Sequence, residues 1–447
     1  MSQSPANLHP GQSEGQPLPA SFVREQLLIR LLMTFIATGL FFMLVPGTFL
    51  GVWNLFAISG KHSPGAISAA WIQAHGHAQL FGWIGTFILG IGFYSVPNLR
   101  KVAGYHFKEG WLIWAFWTLG VALHWFADVY LWNWKALLPL SGVLELAAVI
   151  LFIDLSYRGQ KIERTTKGKI EPWTIGVLAG TAGLLLAILF NTIESFIVAR
   201  QEATPAFPAA PDGALLFLAT WAFPVPIAWG LTARWMPPLL GIKPTRPRLF
   251  LSGIAADMLG VICGLVGHRT ASALLIFCGT LLVPIGLRLF EPTIKEAKTA
   301  GVHPSFPFFM RLPYAWLIAA AALDVWAALI HDSLGIGGAS RHAMTVGFIA
   351  TLVFTVAPRM LPAFMGRKGL FSPGLMAASL FILSTGCAIR VPAEILGYRH
   401  YWASAWTALP VSASLEMLGI TLFAINMIAT IRQPPLMPQM DLRRSKK

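Results

Sequence analysis

Charge is scarce in this chain. Asp, Glu, Lys and Arg make up 12% of 447 residues, and carboxylates are the scarcer kind, 19 against 33 basic residues. With 55% of its residues hydrophobic, such a chain cannot keep its apolar surface from water. That excludes a soluble globular protein and implies a polytopic membrane protein. Cysteine is scarcer still: Cys263, Cys278 and Cys387 all fall inside apolar runs, which excludes a disulfide scaffold. No basic segment leads into a short apolar core at the start. Residues 1–24 therefore read as a disordered cytoplasmic tail, not a signal peptide.

What is abundant is long apolar runs. They fall near 27–45, 74–97, 111–131, 136–155, 173–199, 213–233, 247–267, 271–290, 313–331, 341–363, 373–390 and 408–431. Each approaches the ~20 residues that cross a hydrocarbon core. Twelve spans make a membrane domain over 25–433, followed by a basic cytoplasmic tail over 434–447. The net charge of +14 is a topology signal and not a nucleic-acid footprint. With alternating loops, 26 of the 33 Lys and Arg residues fall on the side of the N-terminus, which makes both termini cytoplasmic. The expected location is a bacterial inner membrane, with the lipid bilayer as the first partner.

The runs repeat. His77-Ala and His342-Ala are each followed by Gly five residues after the His (Gly82, Gly347), then by an aromatic-Ile pair and an aligned Thr (Thr86, Thr351). Each His stands twenty residues before a Pro (Pro97, Pro362). Downstream, Gly120-x-Ala-x-His124-x-x-Ala-Asp128 aligns with Gly386-x-Ala-x-Arg390-x-x-Ala-Glu394. Leu138-Pro-x-Ser leading to Glu145 aligns with Leu409-Pro-x-Ser leading to Glu416. Spans two to four are echoed by spans ten to twelve, in the same direction across the membrane. A fainter middle copy has Pro237, with Phe217 twenty residues before it, and Gly260 to His268 in the spacing of Gly120 to Asp128. The fold class is all-α: twelve transmembrane helices in three pseudo-symmetric four-helix units.

This topology puts eight of the eleven histidines on the outer half. Neutral imidazole is a common ligand for iron, copper and zinc, and it needs an acceptor on its other nitrogen. His77 and His342, at matched depth, are candidate haem or metal ligands, with His75 as a further cofactor ligand and His124 as a further metal ligand. His75 and His77 are about 200° apart around a helix and face opposite sides. One span can thus serve two neighbouring sites, or turn one His to a cofactor and the other to water. Glu145, Glu416, Asp128 and Glu394 are candidate proton carriers or acceptors for these imidazoles, since ionisable groups in a membrane are costly and mark sites. For Glu145 and Glu416 a packing hydrogen bond between helices is the plain alternative. His62, His268, His331 and His400 read as interfacial anchors.

Three arcs of four spans, with His near the outer ends of spans two and ten, resemble subunit I of haem-copper oxidases. The resemblance implies haem ligands on spans two and ten and copper-binding histidines on spans six and seven. Span six has Phe217 at the equivalent place and span seven offers only His268, so the copper triad is absent and ordinary oxygen reduction is not expected. The stretches His75-Gly-His77-Ala-Gln-Leu-Phe-Gly82-Trp and Arg341-His342-Ala-Met-Thr-Val-Gly347 are similar to the NnrS family, membrane proteins linked to nitric oxide response and denitrification. That resemblance implies b-type haem, with copper as a family property that cannot be assigned to residues, and nitric oxide or another small diatomic as a ligand. The lack of C-x-x-C-H excludes covalently attached c-type haem. The leading reading is a haem-binding protein of nitrosative-stress handling or denitrification. A divergent oxidase or nitric oxide reductase, and a transporter, are the alternatives.

Overall fold

The computed structural model describes residues 20–100, 107–161 and 171–434. The expected tails, 1–24 and 434–447, lie almost wholly outside these residues. Among the described residues twelve helices are long and apolar enough to cross a membrane. They are span one (Glu25–Lys61), two (Ala69–Ser95), three (Lys108–Tyr130), four (Trp134–Ser156), five (Pro172–Gln201), six (Ala209–Leu240), seven (Pro247–Leu265), eight (Arg269–Leu287), nine (Phe306–Ile330), ten (Gly335–Phe364), eleven (Pro373–Tyr398) and twelve (Ala405–Arg432). Large side chains such as Phe41, Trp53, Ile262 and Leu329 stay exposed on the outside of the bundle. In water they would form an aggregating surface; in lipid they meet acyl chains while each helix satisfies its own backbone.

Span one is longer than its apolar run. The helix does not end near residue 45 but continues through Pro46 to Lys61, because Met43–Phe49 adopts π-helical geometry around the proline. Pro lacks an N–H, and its turn leaves backbone carbonyls without helical donors. Two side chains also donate into this segment: the Thr48 hydroxyl to the Met43 carbonyl (2.7 Å) and Trp125 Nε1 to the Pro46 carbonyl (3.2 Å). Spans two and ten also begin earlier than their apolar runs. The Gly-rich stretch ahead of His342 is helical from Gly335, whose N–H donates to the Asp332 carboxylate at 2.8 Å. A carboxylate at that place caps the orphan donors of a helix start. His75 and His342 accordingly sit more than a turn inside their helices.

All three units share one irregularity. A π-helical segment begins directly after His77 (Ala78–Gly85), after His342 (Ala343–Ala350) and after Phe217 (Leu218–Ala222). This explains the aligned threonines. Thr86 Oγ1 donates to the Gly82 carbonyl (2.6 Å), which the Thr86 N–H passes over for Phe81 and Trp83, and Thr351 Oγ1 donates to the Val346 carbonyl (3.0 Å), which also accepts the Thr351 N–H. Trp117 Nε1 adds a donor to the Phe81 carbonyl at 3.2 Å. In the middle unit the aligned residue is Pro226, which has no N–H to place.

The second helix pair of each unit packs on a matched glycine. A Cβ on Gly120 would lie 2.7 Å from Glu145 Cγ and 3.0 Å from the Ser141 carbonyl oxygen. On Gly386 it would lie 2.8 Å from Glu416 Cγ and 3.0 Å from Ser412 O, and on Gly260 2.8 Å from Ile276 Cγ1 and 3.0 Å from Ser272 O. Three identical close approaches place the middle unit in the same register as the other two. In that unit Phe217, Gly264 and Ile276 stand where the first has His77, His124 and Glu145. Spans two, six and ten meet at an apolar cavity lined by Trp83, Phe87, Ile227, Leu231, Val353 and Phe364.

Candidate functional site

The polar residues gather in two clusters, one per outer unit. In the first, His77 of span two, His124 of span three and Glu145 of span four are all buried. His77 Nε2 lies 2.9 Å from Glu145 Oε1. The His77 and His124 rings are stacked, 3.7 Å between centroids and 9° from parallel. His124 is held from two sides, with Nε2 3.5 Å from Asp128 Oδ2 and Nδ1 3.4 Å from Ser141 Oγ. The glycine contact at Gly120 lets spans three and four approach closely enough for Glu145 to reach the imidazoles. The three side chains present one ligand atom each, all within 4.8 Å of one another. Two imidazoles and a carboxylate are a donor set for a borderline divalent transition metal.

The second cluster lies in the third unit. His342 Nδ1 is 2.9 Å from Glu394 Oε2 and 3.1 Å from the Gly338 carbonyl oxygen. Gly338 leaves room for that carboxylate, since a Cβ would come 2.2 Å from Glu394 Oε1 and push it aside. Arg390, at the place of His124, donates from Nε to Glu394 Oε2 at 3.3 Å, and its Nη2 lies 3.4 Å from His342 Nε2. That last separation exceeds a well-formed hydrogen bond. Glu416, aligned with Glu145, is half-buried and has Oε1 without a partner among the described residues.

His75 belongs to this second region and not to the first. Its Nδ1 is 2.8 Å from the Gly47 carbonyl oxygen, in the π-helical segment of span one. Its ring packs against Gly51, where a Cβ would approach to 2.4 Å of Cε1. It lies within electrostatic range of His342 on span ten and Arg390 on span eleven. A backbone carbonyl on Nδ1 fixes the tautomer that leaves Nε2 as the free lone pair, as in many haem and metal sites.

The structure thus brings His77, His124, Asp128 and Glu145 together, and brings His75, His342, Arg390 and Glu394 together. The opposite facing of His75 and His77 is legible from their spacing; which of them turns toward span ten is not. Gly47, Gly51, Ser141 and Gly338 escape sequence reading because their part is to make room or lend a backbone carbonyl. Arg390 is visible in the sequence only as the residue replacing His124. The interfacial histidines serve as chain turns: His62 and His331 close helices in left-handed conformation, His400 adopts the same conformation in a loop, and His268 precedes span eight.

Residues 240–432, covering spans seven to twelve, match a family model described as a domain of unknown function, DUF8744. No curated protein sequence matches the chain. Its structure is similar to one described as a heme-copper terminal oxidase dimer, solved by cryo-EM. The TM-score is 0.72 over 92% of this chain and 85% of that one, at 12% identity. The chain is a multi-pass membrane protein with a haem-copper oxidase-like fold.

Proposed function

We propose that this protein binds a b-type haem between spans two and ten, with His75 and His342 as the imidazoles that would hold it, and that it acts as an NnrS-like protein in nitric oxide response or denitrification. The observation that carries the reading is the matched second shell of these two residues. Each has Nδ1 engaged by a fixed acceptor, Gly47 O or Glu394 Oε2, so each has Nε2 directed elsewhere. The residues fit the group. Two neutral imidazoles on facing spans are a usual haem donor set, and the long contact from Arg390 to His342 Nε2 is one that a stronger ligand replaces. When bound, haem would supply one-electron chemistry, and diatomic binding would require one of the two imidazoles to give way.

The chain's own contribution is orientation. Gly51 leaves room for the His75 ring, and the Glu394 carboxylate fixes the His342 imidazole through Nδ1. The charge asymmetry of the loops supports a bacterial inner-membrane location with both termini cytoplasmic and this site near the periplasmic face. Against an oxidase-type copper centre stand Phe217 and Gly264, which fill the middle unit with an aromatic ring lying on a glycine.

The test is a reduced-minus-oxidised spectrum with pyridine haemochrome on detergent-purified protein. A b-type spectrum is expected, lost in His75→Ala and His342→Ala and kept in His77→Ala. A haem-free wild type overturns the reading, and loss of haem in His77→Ala with retention in His75→Ala moves the ligand pair to His77. A nitric oxide-induced shift of the reduced Soret band tests the diatomic ligand.

A further inference from the structure

We infer that the first four-helix unit holds a divalent transition-metal ion of the zinc or copper class between His77, His124 and Glu145, at a site separate from the haem. Three independent observations lead there.

The first is the donor set. Three buried ligand atoms from three different spans lie within 4.8 Å of one another. Metal–ligand bonds of about 2.0–2.2 Å in a tetrahedral site place donors about 3.4 Å apart. The cluster reaches that spacing by adjustments of roughly an ångström, with the two stacked rings fanning apart. Whichever nitrogen of His124 takes the ion, the other faces Asp128 or Ser141 as its second-shell partner.

The second is what the cluster leaves unsatisfied. Glu145 Oε2 is buried without a hydrogen-bond partner, and Asp128, which also forms no hydrogen bond, has only the His124 imidazole at 3.5 Å. Among the described residues no Lys or Arg pairs with either carboxylate. Buried acceptors in that condition need a cation or a proton.

The third is the comparison between units. At the aligned places of the third unit, Arg390 stands for His124 and bonds Glu394, the counterpart of Asp128. The positive charge is part of the chain there. The second unit has Gly264 and Ile276 at the places of His124 and Glu145, with neither a carboxylate nor a cation at them. Only the first unit pairs buried carboxylates with imidazoles and lacks a built-in cation, and a bound ion occupies the electrostatic place that Arg390 fills in its copy.

This inference rests on the haem reading in one respect, that His75 and not His77 faces the haem; haem and metal are therefore measured separately. The experiment uses the full chain in detergent, stripped with chelator and reloaded with Zn(II) or Cu(II), with metal per chain measured by mass spectrometry and haem measured separately. One ion per chain is expected for the wild type, unchanged in Glu416→Gln, and reduced to background in Glu145→Gln and His124→Arg. His124→Arg imports the third unit's own solution, so it is expected to fold as a single species on size exclusion while refusing the ion. X-ray absorption at the zinc edge of the wild type is expected to show two imidazoles in the first shell. A wild type at background, full occupancy in both first-unit variants, or a first shell without imidazole overturns the assignment.

Discussion

Arg390 occupies in the third unit the place that His124 occupies in the first, four residues after the glycine on which each helix pair closes. One substitution separates a cluster with its own cation from one made of imidazoles and acids. The two outer units are therefore copies in backbone and divergent in chemistry.

Arg390 and Glu394 are both buried, so removing one leaves the other's charge unpaired. Arg390→Gln is expected to lower stability by about 3–5 kcal/mol, and Arg390→Gln with Glu394→Gln to recover much of that loss. Thermal unfolding of the two variants and of Glu394→Gln alone, in one detergent, checks the cycle. Additive losses would mean that the pair does not interact.

Gly386→Ala is expected to destabilise by about 1–3 kcal/mol, since its methyl would press on the Ser412 carbonyl oxygen of a facing helix that cannot bend away locally. Gly213→Ala is the control. Nothing lies within 4 Å of the added methyl there, and the helix gains an alanine in place of glycine, so unfolding should shift slightly upward or not at all.

Thr86→Val keeps the shape of the side chain and removes a hydroxyl that donates to the Gly82 carbonyl and accepts from Trp117 Nε1. A loss of about 1–3 kcal/mol is expected from the buried groups left without partners. Amide hydrogen exchange should localise the opening to the turn after His77. Loosening spread evenly along span two would contradict this account of the π-helical segment.

Asp332, outside the membrane between spans nine and ten, has its carboxyl held below the ordinary range. Burial acts to raise it, and the Arg399 hydrogen bond with the N–H groups of Gly335 and Ile336 outweighs that effect. A depressed folded value means that the stabilisation is fully present above the unfolded value of about 4 and is lost as pH falls through the folded one. The wild type should therefore unfold at a higher temperature than Asp332→Asn near neutral pH, with the gap narrowing as pH drops from about 5 toward 3. A gap independent of pH would show that the carboxylate charge is not what matters.

Most of the architecture is legible in the sequence because membrane burial writes itself into composition: twelve apolar runs, Lys and Arg crowded on one side, and a glycine-to-acid spacing repeated in the outer units. The middle unit is harder to read, since its polar residues are gone and Gly260, Ser272 and Ile276 match their counterparts by packing and not by residue type. Span one misleads because Pro46-Gly47 is ordinary chain punctuation, whereas here a π-helical turn absorbs it. Grouping His75 with His342, and His77 with Glu145, needs the rotation of each span about its axis. That rotation depends on which neighbours each helix packs against, and these are distant in sequence.

The π-helical segments after His77, Phe217 and His342 carry a consequence for phase. A π turn is an α-helix with one residue too many, so the two halves of such a span are out of step by about 100°. Deleting a single residue within Ala343–Ala350 should leave span ten helical from end to end, yet wind His342 about a quarter turn away from Glu394 relative to the cytoplasmic half. In this bundle the aim of each outer-half residue at position 77, 217 or 342 is set by residue count as much as by residue identity.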